Sequence, residues 1–165
     1  AQAGFMMFAV FAGNDFAKQG MLLYAAAYCL ATIGIFSVLV KMKDFTFDGF
    51  NALAKKEPFV AFVLTVCLLS LAGIPLTAGF FAKYFVLAAA VKTGTYLWLV
   101  IFAVLMAAIS VYYYFRVIQA MYFKEGDGQD IETTPVYKAV LFVVAALIIV
   151  LGVLPSSLLN WLTLY

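Results

Sequence analysis

The sequence predicts an all-α polytopic membrane protein, and three observations carry that expectation. Of its 165 residues, 67% are hydrophobic and 11% charged, with a mean hydropathy of +1.10; soluble domains are closer to half apolar and a quarter charged. Charge-free runs cover 20–40, 58–82, 93–115 and 139–165. Each is long enough, at about 1.5 Å per helical residue, to cross a ~30 Å hydrocarbon core. None alternates polar and apolar residues as a transmembrane β-strand does. Helices are then the spanning structures that satisfy their own backbone.

The elements follow in order, as one transmembrane region over 1–165. The run 1–12 reads as a helix closed by Gly13-Asn14-Asp15. It is too short to span and has no basic flank before it, so it is not a signal peptide. It is expected to be the tail of a helix that begins before Ala1, in a fragment of a longer chain. A second helix is expected over 18–40. A polar loop occupies 41–57, and Pro58 suits the first turn of the next helix. The third segment, 58–91, is interrupted near 73–77 by Gly73-Ile74-Pro75. Lys92-Thr93-Gly94 is a turn, and 95–123 a fourth helix. The loop 124–134 carries Gly126 and Gly128. Pro135 opens a fifth helix over 136–154, which ends near Leu154-Pro155.

The third segment allows two topologies: two short spans, or one discontinuous helix. The basic residues favour the second. With one span, loops 41–57 and 124–134 share a side. That side holds Lys41, Lys43, Lys55, Lys56, Arg116, Lys124 and Lys138, against Lys18 and Lys92 on the other. Such asymmetry marks the cytoplasmic side. With two spans the asymmetry fades.

Composition also excludes chemistry. Histidine is absent, which removes most zinc sites and most acid–base schemes near neutral pH. Cys29 and Cys67 lie within apolar helices without ligand spacing and read as packing residues. No phosphate-binding glycine motif is present. Nothing points to nucleic acid.

The candidate site is Lys83. Every acidic residue lies in an expected loop, and nine of the ten basic residues lie in loops or near helix ends. Lys83 is the exception. A charge at the centre of a spanning helix costs about 2.5–3.5 kcal/mol on insertion scales, so such residues usually face a protein interior or a hydrated cavity. Proline removes an N–H and clashes with the preceding turn. The carbonyls freed near Leu71 and Ala72 then need water or neighbouring helices as partners. Gly73 and Pro75 are therefore expected to shape a hydrated break. Thr77 is placed to cap the second half, and Gly79, one turn before Lys83 on the same face, is expected to leave room beside it for water or another helix. Set against this, Lys83 snorkels to an interface and Gly73-Ile74-Pro75 is a plain kink. Ser70, Thr65 and Ser110 are expected in interhelical hydrogen bonds. Tyr112-Tyr113-Tyr114-Phe115-Arg116 reads as an interfacial aromatic belt, and Tyr24 and Tyr28 as packing residues on one face.

Leu69-Ser70-Leu71-Ala72-Gly73-Ile74-Pro75 followed by Thr77-Ala78-Gly79-Phe80-Phe81-Ala82-Lys83 resembles the broken-helix motif of the antiporter-like subunits of respiratory complex I. Ile109-Ser110-Val111-Tyr112-Tyr113-Tyr114-Phe115-Arg116-Val117-Ile118 and Met121-Tyr122-Phe123 are similar to the subunit N family of bacterial NADH:quinone oxidoreductases, as are Ala3-Gly4-Phe5 and the small-residue helix 28–40. The resemblance covers nearly the whole chain. It implies a bundle of inverted repeats, each with one discontinuous helix, of which this chain supplies the C-terminal part. It also implies a proton path in which Lys83 is the matching lysine and the other path residues precede Ala1. Lys83 would exchange with a half-channel opposite the cytoplasm. Leu76 departs from relatives that carry a second proline, which is expected to soften the break slightly.

The same resemblance implies no cofactor in this chain, with NADH, flavin, iron–sulfur clusters and quinone handled by partner subunits. Partners would be the other membrane subunits of complex I and the lipid bilayer of the bacterial inner membrane. Two alternatives stand beside this: a subunit of a multi-component cation/proton antiporter, and a structural membrane subunit in which Lys83 is an anchor.

Overall fold

The computed structural model describes residues 2–155; Ala1 and 156–165, including the end of the last charge-free run, lie outside the described residues. The described chain is a helical bundle: α1 (Gln2–Ala12), α2 (Asp15–Leu39), α3 (Leu53–Lys56), α4 (Pro58–Ala72), α5 (Ala78–Lys92), α6 (Leu97–Phe123) and α7 (Pro135–Val153). Three of these, α2, α6 and α7, are long and apolar enough to cross a membrane. The protein is a multi-pass membrane protein.

Boundaries follow local chemistry. Helix α2 begins three residues before the expected 18, because the Asn14 side chain accepts from the Ala17 N–H at 2.8 Å and caps the first turn. Pro58 and Pro135 both stand in the first turn of their helices, where a missing N–H costs nothing. Thr134 adds a side-chain cap on Tyr137. The expected polar loop 41–57 is partly ordered: it holds a 3₁₀ turn, Asp48–Phe50, and the short α3. Its buried Phe50 and Leu53 anchor it under the bundle.

Helix α2 decides the topology of the third segment. Its Gly20 lies against Phe85 and Val86 of α5, and its Gly34 against Cys67 of α4. These glycines are about 21 Å apart along the helix. Folded back as a hairpin, α4 and α5 would meet α2 at one height; instead they follow one another along it. Each half has 15 residues, about 22 Å, too short to span a ~30 Å core alone. Together they make one discontinuous span, antiparallel to α2.

Loops 41–57 and 124–134 consequently pack together at one end of the bundle. Lys41 Nζ donates to the Glu132 carbonyl at 2.8 Å, and Lys56 pairs with Asp130 at 2.9 Å. The Gln129 amide accepts from the Lys43 and Asp44 N–H groups and donates to the Asp44 and Gly49 carbonyls. At the opposite end Lys92 lies over the Phe16 ring, 4.0 Å from its centroid.

Candidate functional site

The break between α4 and α5 is built by glycine more than by proline. Gly73 takes φ +82°, a left-handed conformation that favours glycine. Its N–H donates to the Ser70 carbonyl at 3.0 Å and the Ile74 N–H to the Leu69 carbonyl at 3.0 Å, the paired bonds of a Schellman stop. Pro75 comes two residues later, exposed, where it cannot continue the helix. The expected proline clash is therefore not what ends α4. Leu76 follows at φ +73°. A proline, locked near −65°, does not fit that backbone.

The stop leaves the Leu71 and Ala72 carbonyls without helical partners. Lys83 reaches back from α5 to take both: Nζ donates to Leu71 O at 2.7 Å and to Ala72 O at 2.9 Å. Water or neighbouring helices were expected there; one neighbouring helix does contribute, through Gln2 of α1 on Leu71 O at 3.1 Å, but both carbonyls are taken by the candidate lysine of the same broken helix. Lys83 is buried, with 9% of its surface exposed, so it does not snorkel to an interface. Its Nζ also lies 5.2 Å from the centroid of the Phe5 ring, within cation–π range.

One expected role is corrected. Thr77 stands at the N-cap position of α5, but its hydroxyl donates to the Ile74 carbonyl at 2.7 Å and caps no helical N–H. The cap comes from across the break, where Ser70 Oγ accepts from the Gly79 N–H at 3.2 Å. Gly79 makes the room expected of it, lining the small cavity together with Lys83 and admitting the other half-helix. A methyl there would overlap the Ser70 carbonyl, so the missing side chain is what lets the two half-helices meet. From the far side, Gly152 of α7 lies against the Leu76–Thr77 backbone and closes the break.

Sequence reasoning missed Gln2. Buried on α1, its amide nitrogen donates to Leu71 O and to the Tyr114 hydroxyl, each at 3.1 Å, and its oxygen accepts from the Tyr24 hydroxyl at 2.5 Å. Tyr114 thus leaves the expected aromatic belt, of which Tyr112 and Tyr113 stay exposed, and Arg116 stacks on Phe47 at 4.1 Å. Thr65 bonds the Ala61 carbonyl of its own helix and, as expected, reaches across to the Tyr122 hydroxyl of α6 at 3.4 Å; Ser110 instead bonds only the Met106 carbonyl of its own helix. A lone glutamine in an apolar helix gives no periodic signal, and only the fold brings it to the break.

A cavity of about 10 Å³ is lined by Tyr24, Ser70, Gly79 and Lys83 among others. That is roughly the space one water needs. A larger cleft of about 400 Å³ runs between α2, α4 and α6 toward Phe47, and a further void of about 500 Å³ continues it to Phe45 and Thr46 in the loop.

Residues 1–110 match the family described as NADH:quinone oxidoreductase/Mrp antiporter, transmembrane. The chain belongs to that family. Within the NADH:quinone oxidoreductase/Mrp antiporter family, it is 38% identical over 167 residues to NADH-quinone oxidoreductase subunit N of Cytophaga hutchinsonii, covering 97% of this chain and 36% of that protein. It is 40% identical over 169 residues to subunit N of Flavobacterium psychrophilum, covering 98% and 36%. The chain thus spans 36% of the length of these relatives. Its fold is similar to a chain of respiratory complex I from Thermus thermophilus with bound aureothin, at a TM-score of 0.85 and 30% identity, over 94% of this chain and 36% of that one.

Proposed function

We propose that the chain works as part of a proton-translocating membrane subunit of a bacterial NADH:quinone oxidoreductase, with Lys83 as its proton-exchanging group. The observation that carries this is the pair of bonds from Lys83 Nζ to Leu71 O and Ala72 O. An ammonium has three N–H donors, and two are used. A neutral amine keeps two, so both carbonyls remain satisfied whichever state the nitrogen is in. The third position is an N–H in one state and a lone pair in the other. A proton can therefore leave for a water in the cavity that Lys83 lines and return without stranding a buried polar group, which would cost about 1–3 kcal/mol. Charge changes on neighbouring groups of the full subunit would drive the exchange, since such effects are strong in a low-dielectric interior.

In this reading Gly73, Pro75, Thr77 and Gly79 shape the break. The partners are other membrane subunits of complex I and the lipid of the bacterial inner membrane. NADH, flavin, iron–sulfur clusters and quinone belong to those partners. Loops 41–57 and 124–134, which carry most of the lysines, face the cytoplasm by the positive-inside tendency. The family description also covers Mrp antiporters, so a second reading is a cation/proton antiporter subunit, marked by sodium dependence without NADH.

The test replaces Lys83 with Ala in the full-length subunit within its complex. NADH-driven quinone reduction and proton uptake are compared in sealed vesicles. We expect pumping and coupled turnover to fall while the assembled complex persists. Wild-type values for both would make Lys83 an anchor and overturn the proposal.

A further inference from the structure

We propose that Gln2 is the positioning residue that opens and closes Lys83 to the end of the bundle holding loops 41–57 and 124–134. The inference rests on the reading of Lys83 as the proton-exchanging group. Gln2 is a buried amide with partners on three other elements: Tyr24 on α2, Leu71 at the end of α4 and Tyr114 on α6. It shares the Leu71 carbonyl with Lys83, so the amide and the ammonium are two hydrogen bonds apart.

Its position between two voids gives the amide its role. Gln2, Tyr28 and Leu71 line both the small cavity at Lys83 and the cleft of about 400 Å³ that leads to the loop end. They form the wall between them. Tyr28 and Leu71 present a ring and a carbonyl held by their helices; the glutamine is held by hydrogen bonds that can be exchanged for water. Swung off Leu71, it joins the two voids. Toward the opposite end the way is packed shut. Val86, Ala89 and Ala90 are fully buried, and Gly20 sits so close to Phe85 and Val86 that a methyl on it would meet them at 3.0–3.1 Å. An amide does not itself relay protons. The proton passes from water in the cleft to water in the cavity and onto the Nζ lone pair, forming the ammonium, with no bond in Gln2 made or broken. The geometry thus connects Lys83 to the loop end, whereas the family resemblance had implied exchange on the other side.

A gate gives opposite signatures when removed and when jammed. Gln2→Ala opens the wall; Gln2→Leu fills the same volume without an amide that water can solvate. Both are placed in the full-length subunit of the complex, in sealed vesicles. For Gln2→Ala we expect NADH oxidation to persist while protons moved per NADH and stimulation by an uncoupler fall several-fold. For Gln2→Leu we expect turnover to fall several-fold with protons per NADH unchanged. A merely structural role would lower assembly and both rates together in both variants, and that result overturns the proposal. So do wild-type values in both. If Gln2→Ala does not assemble, Tyr24→Phe and Tyr114→Phe loosen the amide without a cavity and are expected to lower protons per NADH; unchanged ratios there overturn the gate. Lys83→Met in parallel separates the two claims. Wild-type pumping in Lys83→Met removes the underlying reading. Lost pumping there, beside silent Gln2 variants, removes only the gate.

Discussion

Gly79 and Ser70 hold the two half-helices together. The Gly79 N–H donates to Ser70 Oγ at 3.2 Å, and the Gly79 Cα stands against the Ser70 carbonyl with no room for a methyl. Gly79→Ala must therefore push α5 away from α4 and carry Lys83 off its carbonyls. Forcing a group into a packed interior typically costs 1–3 kcal/mol, and here the obstacle is backbone, so we expect about 3 kcal/mol. Ser70→Ala removes only the cap, about 1 kcal/mol. Thermal unfolding of the purified complex should rank Gly79→Ala well below Ser70→Ala. Equal losses would mean the close approach has little weight.

Lys83→Arg separates proton exchange from anchoring. Arginine keeps the charge and can still bond carbonyls, but it does not deprotonate in proteins. If Lys83 exchanges a proton, the arginine variant assembles yet pumps at a small fraction of the wild-type rate. If the lysine only anchors the break, arginine supports near-normal pumping. Proton uptake per NADH in sealed vesicles reads the difference.

The parts of this arrangement differ in how visible they are in the chain. Lys83 stands out because it interrupts a long uncharged run, and Gly73 and Pro75 because they interrupt a helix; both are local contrasts. The in-line order of α4 and α5 was favoured by a global count, the placing of lysines on one side. What could not be read is whatever depends on pairing distant residues. Ser70 supplies the cap that Thr77 was expected to give, because the turn rotates the Thr77 hydroxyl onto Ile74. Gln2 is separated from Leu71 by 69 residues and from Tyr114 by 112. Its polarity in an apolar helix was the available signal, and polarity alone does not name partners.

A glycine at the other end of α2 offers a test of the packing that sets the topology. An alanine methyl at Gly34 would meet Cys67 Sγ at 2.5 Å and Val144 at 3.2 Å. Gly34→Ala is expected to destabilise the bundle by about 1–3 kcal/mol. Cys67→Ala removes the sulfur it strikes. The double variant should recover part of the loss, giving a coupling energy of at least ~0.5 kcal/mol between residues in contact. Strict additivity in thermal unfolding would show that α2 and α4 do not meet there.

Asp44 gives the loop end a pH dependence. The Thr46 backbone N–H, at 2.8 Å, and then its side chain hold the carboxyl below its usual 3.8. The depressed value belongs to the folded loop. The stabilisation is therefore fully present above about pH 4, where the unfolded group is ionised, and is lost as pH falls through the folded value. Amide exchange at Thr46 should be slow at neutral pH and lose its protection below the usual carboxylate range, after correction for intrinsic rates. Asp44→Asn should flatten that dependence. A Thr46 protection factor independent of pH would exclude the contact.

Gln129 clasps the two loops, with four hydrogen bonds from one side chain to Lys43, Asp44 and Gly49. Gln129→Ala leaves those backbone groups to water at an exposed edge, so the cost is modest, about 1–2 kcal/mol for the group. Its effect is local opening more than global unfolding. Lys41, Lys43, Lys55 and Lys56 all lie in or beside the clasped loop, which makes trypsin a direct probe. Cleavage should be several-fold faster in Gln129→Ala than in wild type. Faster cutting with the cytoplasmic face outward, and protection with it inward, would place both loops in the cytoplasm. The reverse pattern would invert the orientation while leaving the clasp intact. Equal rates in the variant and the wild type would show that Gln129 does not hold the loops.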